Sequence, residues 1–229
     1  MLAVKRLFFS LLIVGLLLST PQVAFAGGNQ SPGLLPPSAR PQGKTLGEWS
    51  AEVFQAIYET PVSENPFLGD PDHHCAYKLD GHMALLWTDP FETLPYSCSV
   101  PSGVMLTIPV MGWFCDTVVD TNGDVSALRK CVDDNYDAAG FTNFQGSIDG
   151  KELKDLERYL VVSPPVKFKM PADNIFGYPE GIQGSLMVKG VNIITNPLSV
   201  GEHTFHFQAD IPGLGVTVDF TLLITATHR

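Results

Sequence analysis

Proline and glycine are spread through the whole chain, with 18 prolines and 21 glycines among 229 residues. Both residues interrupt helices, so a helical bundle or a coiled coil is excluded. Short apolar runs lie between these breaks, and residues 216–222 alternate cleanly between apolar and polar side chains. The pattern predicts a mainly β fold, an antiparallel β-sandwich or jelly roll in which one face of each strand lies on a core.

Two segments have helical character. Thr45 and Glu48 have the T-x-x-E spacing of a capping box, and apolar residues then recur at helical spacing until Pro61. This predicts an N-terminal amphipathic helix of about fourteen residues that docks on a larger surface. A second, short internal helix is predicted at residues 126–136.

The first 26 residues have the three parts of a secretory signal peptide. Lys5 and Arg6 precede a nearly unbroken apolar stretch at residues 7–18, and Ala-Phe-Ala ends at Ala26 as a cleavage site. About twelve apolar residues are too few to cross a hydrocarbon core of ~30 Å. We therefore expect cleavage after Ala26, no membrane anchor in the mature chain, and export to the periplasm or the extracellular medium.

The charge balance restricts the partners of the exported chain. The whole sequence has a net charge of −10, and removal of the signal peptide leaves 12 basic against 24 acidic side chains, or −12. Because phosphates repel an acidic surface, nucleic acid is not expected as a partner. Residues 27–44 are rich in proline and predict a disordered lead, whereas residues 45–229 are expected to form one disulfide-stabilised domain.

All four cysteines follow the predicted cleavage site: Cys75, Cys98, Cys115 and Cys131. An even count in an exported protein predicts two disulfides, for which three pairings exist. Sequential pairing is favoured because short loops cost the least entropy to close. A zinc site made of cysteines is disfavoured, since no pair has C-x-x-C spacing, and a fully bridged set leaves no thiol to act as a nucleophile.

Several motifs occur together along the chain. Residues 43–49 read G-K-T-L-G-E-W, Asn65-Pro66 forms a loop, Ser163-Pro164 follows the cysteines, and residues 197–207 read P-L-S-V-G-E-H-T-F-H-F. This set resembles a widespread family of exported bacterial proteins of unassigned function, over nearly all of the chain from Gly43 onward. The resemblance implies secretion, two disulfides and a β-rich domain, but no reaction, ligand or catalytic residue.

Histidine and aspartate residues form the first candidate site. A loop contains Asp70, Asp72, His73 and His74, His82 follows it, and a late strand carries His203 and His206. Such side chains could bind zinc or transfer protons. However, successive residues of an extended segment point to opposite sides, as do strand positions three apart, so neither histidine pair can share a metal on a regular strand. A polar loop and a structural histidine are the alternatives.

A second candidate site resembles half of a calcium loop. Asp120, Asn122 and Asp124 have the spacing of its first three oxygen ligands. The sixth position is Val125 instead of glycine, and the twelfth is Cys131 instead of glutamate. A turn followed by a capped helix is the alternative interpretation.

The remaining signals favour binding over catalysis. No G-x-S-x-G nucleophile elbow is present. Trp87, Phe91, Tyr96 and Trp113 could line a sugar platform, although aromatic side chains on β-runs more often pack in a core. We predict a module without a cofactor that binds an extracellular ligand or protein. The alternative is a metal-dependent or acid/base hydrolase that acts on extracellular material through the His/Asp residues.

Overall fold

A computed structural model describes residues 33–68, 74–91 and 94–228 of the chain. The predicted signal peptide lies outside these residues, as do Asp70, Asp72 and His73.

The N-terminal helix has the predicted start and length. Helix α1 spans Leu46–Glu59 and begins with the expected capping box, in which Thr45 Oγ1 accepts a hydrogen bond from Glu48 N over 3.2 Å and Glu48 Oε2 accepts one from Thr45 N over 2.7 Å. Two donors that a helix start leaves free are thereby satisfied. Trp49, Val53 and Ile57 on the apolar side of the helix are fully buried.

The described residues contain eleven strands: β1 (Ala76–Asp80), β2 (Met83–Trp87), β3 (Tyr96–Pro101), β4 (Met105–Asp116), β5 (Thr142–Ile148), β6 (Lys151–Glu152), β7 (Leu160–Val162), β8 (Val166–Lys169), β9 (Gln183–Ile194), β10 (Gly201–Ile211) and β11 (Val216–Thr227). The first sheet has the order β1-β2-β4-β9-β7, and β8 also pairs with β9. The second has the order β3-β11-β10-β5-β6. The two sheets pack together, so the predicted β-sandwich is confirmed.

Two strand pairs are parallel instead of antiparallel. These are β2 with β4 in the first sheet and β3 with β11 in the second. After β2 the chain crosses to the second sheet, forms β3, and returns to the first sheet as β4. Because a strand in the other sheet separates β2 from β4, the two can run in the same direction, which a tight hairpin would not permit.

The far half of β4, residues 108–116, departs from regular pairing. Strand β2 pairs with it only over Met105, Leu106 and Thr107, and the register with β9 shifts between Pro109 and Met111. Pro109 lies inside β4 at this irregularity. Proline has no N–H to donate, and a register shift accommodates that loss.

The internal helix α2 spans Leu128–Ala139 and packs against β4 and β9. Cys115 on β4 is bonded to Cys131 on α2, and Cys75 is bonded to Cys98. Sequential disulfide pairing is therefore confirmed. Because neighbouring residues of a strand point to opposite faces, Phe114 faces α1 while Cys115 faces α2, and the two helices cover opposite sides of β4.

The described part of the expected lead, residues 33–44, is packed on the first sheet. Leu34 is buried and pairs with Thr195, while Leu35 N donates to Ile194 O over 2.8 Å. Trp49 Nε1 donates to Pro41 O over 3.2 Å. This segment differs from the disordered lead that its proline content predicts, because a few apolar and backbone contacts distant in sequence hold it in place.

Candidate ligand-binding cavity

A cavity of about 450 Å³ lies between helix α1, the far half of β4 and the second sheet. Phe54 and Ile57 of α1 form one side of it, and Phe220 of β11 contributes from the opposite sheet. Strand β4 supplies the wall from Ile108 to Phe114, the stretch that β2 leaves unpaired. A pocket of this volume is of the size that binds a small organic molecule.

The wall is rich in aromatic side chains, which are Phe54, Phe67, Trp87, Phe91, Trp113, Phe114, Phe176, Tyr178 and Phe220. Phe114 lies at the centre of this group. Its ring centroid is 5.4 Å from that of Phe54, 6.0 Å from that of Phe176 and 6.4 Å from that of Phe67. Such mutual packing holds the rings in position, so the wall is shaped before any ligand enters.

The mouth of the cavity exposes large apolar side chains to solvent. Val119 is 64% exposed, Phe91 59% and Leu214 52%. The three belong to separate loops yet line the same cavity. A cluster of exposed apolar side chains around a concave, apolar wall is typical of a binding site.

A buried aspartate forms part of the wall. Asp116 Oδ2 accepts hydrogen bonds from the phenols of Tyr58, over 2.9 Å, and Tyr178, over 3.2 Å. Its Oδ1 accepts from Val118 N and Val119 N over 2.7 and 2.9 Å. Burial, followed by the charge of Asp116, raises the pKa of both phenols far above the usual range, so both remain protonated donors.

A buried asparagine positions Trp87 in the wall. Asn65 Nδ2 donates to Ile57 O over 2.7 Å, and its Oδ1 accepts from Trp87 Nε1 over 3.1 Å. Asn65 therefore joins the end of α1 to the end of β2. The Asn65-Pro66 motif singled out in the sequence has a structural role at this site.

Thr88 is the polar side chain in the wall that lacks a partner. Only 9% of the residue is exposed, and its Oγ1 is buried without a hydrogen-bond partner among the described residues. Buried hydroxyl groups are normally paired, so Thr88 is an exception at the edge of an otherwise well-paired set of polar groups.

The described histidines of the predicted metal or acid/base site lie apart. His74 bridges to Ser97 beside β3, and His82 lies in the β1–β2 turn. On β10, His203 shares the core-facing side with Phe205, whereas His206 points to the other face and contacts Asp219 over 2.7 Å. The structure does not bring these histidines together into one metal or catalytic site.

His203 makes contacts that resemble a nucleophile–base pair. Its Nδ1 lies 2.9 Å from Asp149 Oδ2, and its Nε2 lies 3.0 Å from Ser199 O and 3.5 Å from Ser199 Oγ. Both ring nitrogens thus face good acceptors, which favours the doubly protonated ring. An imidazolium ion cannot accept a proton from Ser199, so the arrangement is that of a structural histidine.

The predicted calcium ligands are used by their own loop. Asp120 Oδ2 accepts from Asp116 N over 2.8 Å, and Asp124 Oδ1 accepts from Ser126 N over 2.8 Å as a helix cap. Asn122 occupies a left-handed turn position with φ of 45°. The three residues therefore form the turn and capped helix that the sequence offers as the alternative.

One group of potential metal ligands occurs among the described residues. Cys115, Cys131 and Asp120 place one ligand atom each within 4.8 Å of one another. Both sulfur atoms belong to a disulfide, which offers no thiolate for a metal. None of the described helices has the length and hydropathy needed to span a membrane.

Fold and cavity together define a disulfide-stapled β-sandwich with an aromatic pocket. No family model matches the chain, and neither does any curated protein. The solution structure of amebosin is similar over 58% of this chain and 89% of its own length, at 13% identity. The TM-score of that superposition is 0.18, which is too low to indicate a shared fold.

The sequence does not predict the cavity, but three aromatic residues that it singles out lie in the cavity wall. Trp87, Phe91 and Trp113 belong to the aromatic set that could form a sugar platform, and all three line the cavity. Tyr96, the fourth member of that set, is fully buried in the core instead. No sequence signal identified Thr88 or the rim residue Leu214.

Proposed function

We propose that this protein is an exported binding protein that holds a small, mostly apolar molecule in the aromatic cavity. The observation that carries the proposal is the open cavity of about 450 Å³ with Phe91, Val119 and Leu214 exposed at its mouth. Leaving such side chains in water is unfavourable by about 25 cal/mol per Å² of apolar surface, and a bound molecule would recover that energy.

The proposed location rests on the disulfides and on the predicted signal peptide. All four cysteines are paired within the chain, and structural disulfides persist mainly in oxidising compartments. The resemblance to exported bacterial proteins agrees with a role in the periplasm or outside the cell.

Binding can be tested with N-phenyl-1-naphthylamine, an uncharged fluorescent probe. We expect saturable binding of one probe per chain to the oxidised protein, with quenching of Trp87 and Trp113, which lie in the wall. Replacement of the rim residues in V119Q/L214Q should weaken probe binding at least about fivefold, because apolar contact area is lost.

The matched control is V125Q/L223Q. Val125 and Leu223 are also exposed, by 44% and 42%, but neither lines the cavity. Its affinity for the probe should equal that of the unmodified protein. Absence of saturable binding, or equal losses in both double variants, would overturn the proposal.

A further inference from the structure

The far half of β4 has a free edge, which consists of the backbone N–H and C=O groups of Gly112 and Phe114. Asp116 N donates to Asp120 Oδ2 over 2.8 Å and therefore points away from β9. Because successive residues of an antiparallel strand direct these groups to alternate sides, those of Gly112 and Phe114 point the same way as those of Asp116. On that side, no strand of the described ranges pairs with either residue.

The cavity lies along this free edge. It contacts every residue of the run 108–114. Because successive side chains of a strand point to opposite faces, a cavity on one face would contact only every second residue. Contact with the whole run places the cavity beside the strand, where β2 would lie if its pairing continued beyond Thr107.

The free edge offers the hydrogen bonds that another extended chain needs. Gly112 and Phe114 are only partly buried, and each contributes one N–H and one C=O group. Addition of a peptide strand to such an edge is a common mode of recognition. The side chains of the added strand would alternate between the two faces of the first sheet, where Phe114 and Trp113 line the cavity. Apolar peptide side chains therefore match both faces.

The charges beside the free edge are of one sign. Asp116 and Asp120 line the cavity, and none of its described wall residues is lysine, arginine or histidine. Asp120 is exposed and lies at the end of the free edge, next to Asp116 N. An acidic peptide would be repelled at this position, whereas a basic side chain beside the added strand would be attracted.

We infer that the cavity binds an extended peptide segment of another protein, which pairs with Gly112 and Phe114 as an additional strand and carries apolar residues flanked by basic ones. At about 3.3 Å per residue, a segment of about six residues covers the run 109–114. The inference rests on the proposed function, since it names the class of ligand for the same cavity.

Amide hydrogen exchange measured by NMR tests the free edge directly. In the dilute, oxidised protein, the amides of Gly112 and Phe114 should exchange at least about tenfold faster than those of Trp113 and Cys115, which face β9. The peptide acetyl-KVAVAVK-amide should slow exchange at Gly112 and Phe114 and leave Trp113 and Cys115 unchanged. Protection of Gly112 and Phe114 in the free protein would mean that the chain itself or a second copy covers the edge, and the inference would be wrong.

Two methylated forms of this peptide distinguish strand pairing from side-chain binding. One is N-methylated at both alanines and the other at the second and third valines, so each lacks the donors on one side of the extended peptide. Because only one side can face β4, one form should bind at least about tenfold more weakly than the other, as measured by NMR titration. Equal affinities would show that the peptide backbone does not pair with the strand, and would overturn the inference.

The charge preference is tested with acetyl-EVAVAVE-amide. This peptide should bind at least about fivefold more weakly than the lysine peptide, because its carboxylates meet Asp120 at the edge. The difference should shrink in D120N, whose amide oxygen can still accept from Asp116 N. The control E202Q alters an exposed carboxylate outside the cavity and should leave the difference unchanged. Equal binding of the two peptides to the unmodified protein would contradict the basic flank.

The outcomes separate the two proposals. If neither N-phenyl-1-naphthylamine nor the lysine peptide binds, the proposed function itself is wrong. If the naphthylamine binds but the peptide does not, or if the two methylated forms bind equally, the binding function stands and the peptide assignment is wrong.

Discussion

Tyr58 on α1 and Asp116 on β4 are joined by a hydrogen bond of 2.9 Å between phenol and carboxylate, across 58 residues of sequence. Both side chains are buried, and the bond ties the helix to the strand that forms the back of the cavity. Tyr178 reaches the same carboxylate oxygen from a separate loop. This polar contact fixes three elements around the cavity.

Replacement of Tyr58 by phenylalanine should lower the free energy of unfolding by about 1–3 kcal/mol, because a buried carboxylate loses a donor while the ring packing is kept. Urea denaturation measures the change. Tyr159→Phe is the control, since Tyr159 is buried and its hydroxyl makes no hydrogen bond to the residues that the structure describes. This variant should change stability by less than about 0.5 kcal/mol. Equal losses in the two variants would contradict a specific role for the Tyr58–Asp116 bond.

Replacement of Asn65 by alanine should destabilise the protein by about 2–4 kcal/mol, because it leaves Trp87 Nε1 and Ile57 O without partners inside the protein. The emission of Trp87 should change as its indole loses this contact. Thermal and urea unfolding give the energy, and Asn196→Ala, at an exposed position, is the matched control. An Asn65→Ala protein as stable as the control would show that the linkage contributes nothing.

The disulfides give a prediction about thiols. The oxidised, denatured chain should contain no reactive thiol, and reduction should release four. Joint replacement of Cys115 and Cys131 by alanine should cost about 3 kcal/mol, since it frees a loop closed by residues 16 positions apart. Thiol titration and urea denaturation measure the two effects. A stoichiometric free thiol before reduction would refute the pairing.

The His203–Asp149 contact predicts a dependence of stability on pH. Burial alone lowers the pKa of His203, but its hydrogen bonds to Asp149 and to the Ser199 carbonyl outweigh that effect and raise the pKa above 6.5. Burial likewise raises the pKa of Asp149, and its hydrogen bonds to His203 and Thr204 N outweigh this and hold the pKa below 3.8.

A raised histidine pKa stabilises the fold fully below the unfolded-state value and less as pH rises through the folded-state value. A lowered aspartate pKa stabilises the fold above the unfolded-state value and less as pH falls through the folded-state value. The pair should therefore contribute most between about pH 4 and pH 6.5.

Urea midpoints at pH 5.5 and pH 8.5 test this dependence. His203→Gln should lose more stability at pH 5.5 than at pH 8.5, and the difference should shrink in an Asp149→Asn background, where the carboxylate is absent. An equal loss at both pH values would show that the contact is not an ion pair in the folded protein.

Local signals in the sequence were sufficient for several elements. The start of α1 depends on hydrogen bonds between Thr45 and Glu48, three residues apart, and the sequence shows both partners directly. Alternation of apolar residues in β11 likewise reports which side of the strand is buried. Short spacing also favoured the disulfide pairing that the structure has, since the cost of closing a loop depends on its length.

The existence of the cavity depends on the tertiary structure. Its wall joins Phe54, Trp87, Phe114 and Phe220, which belong to one helix and to strands of two sheets. Strand periodicity distinguishes an inward face from an outward face, but it does not tell whether inward side chains fill the space between the sheets. That depends on where β4 loses its β2 partner and how α1 lies across it, and both follow from contacts between residues far apart in the chain.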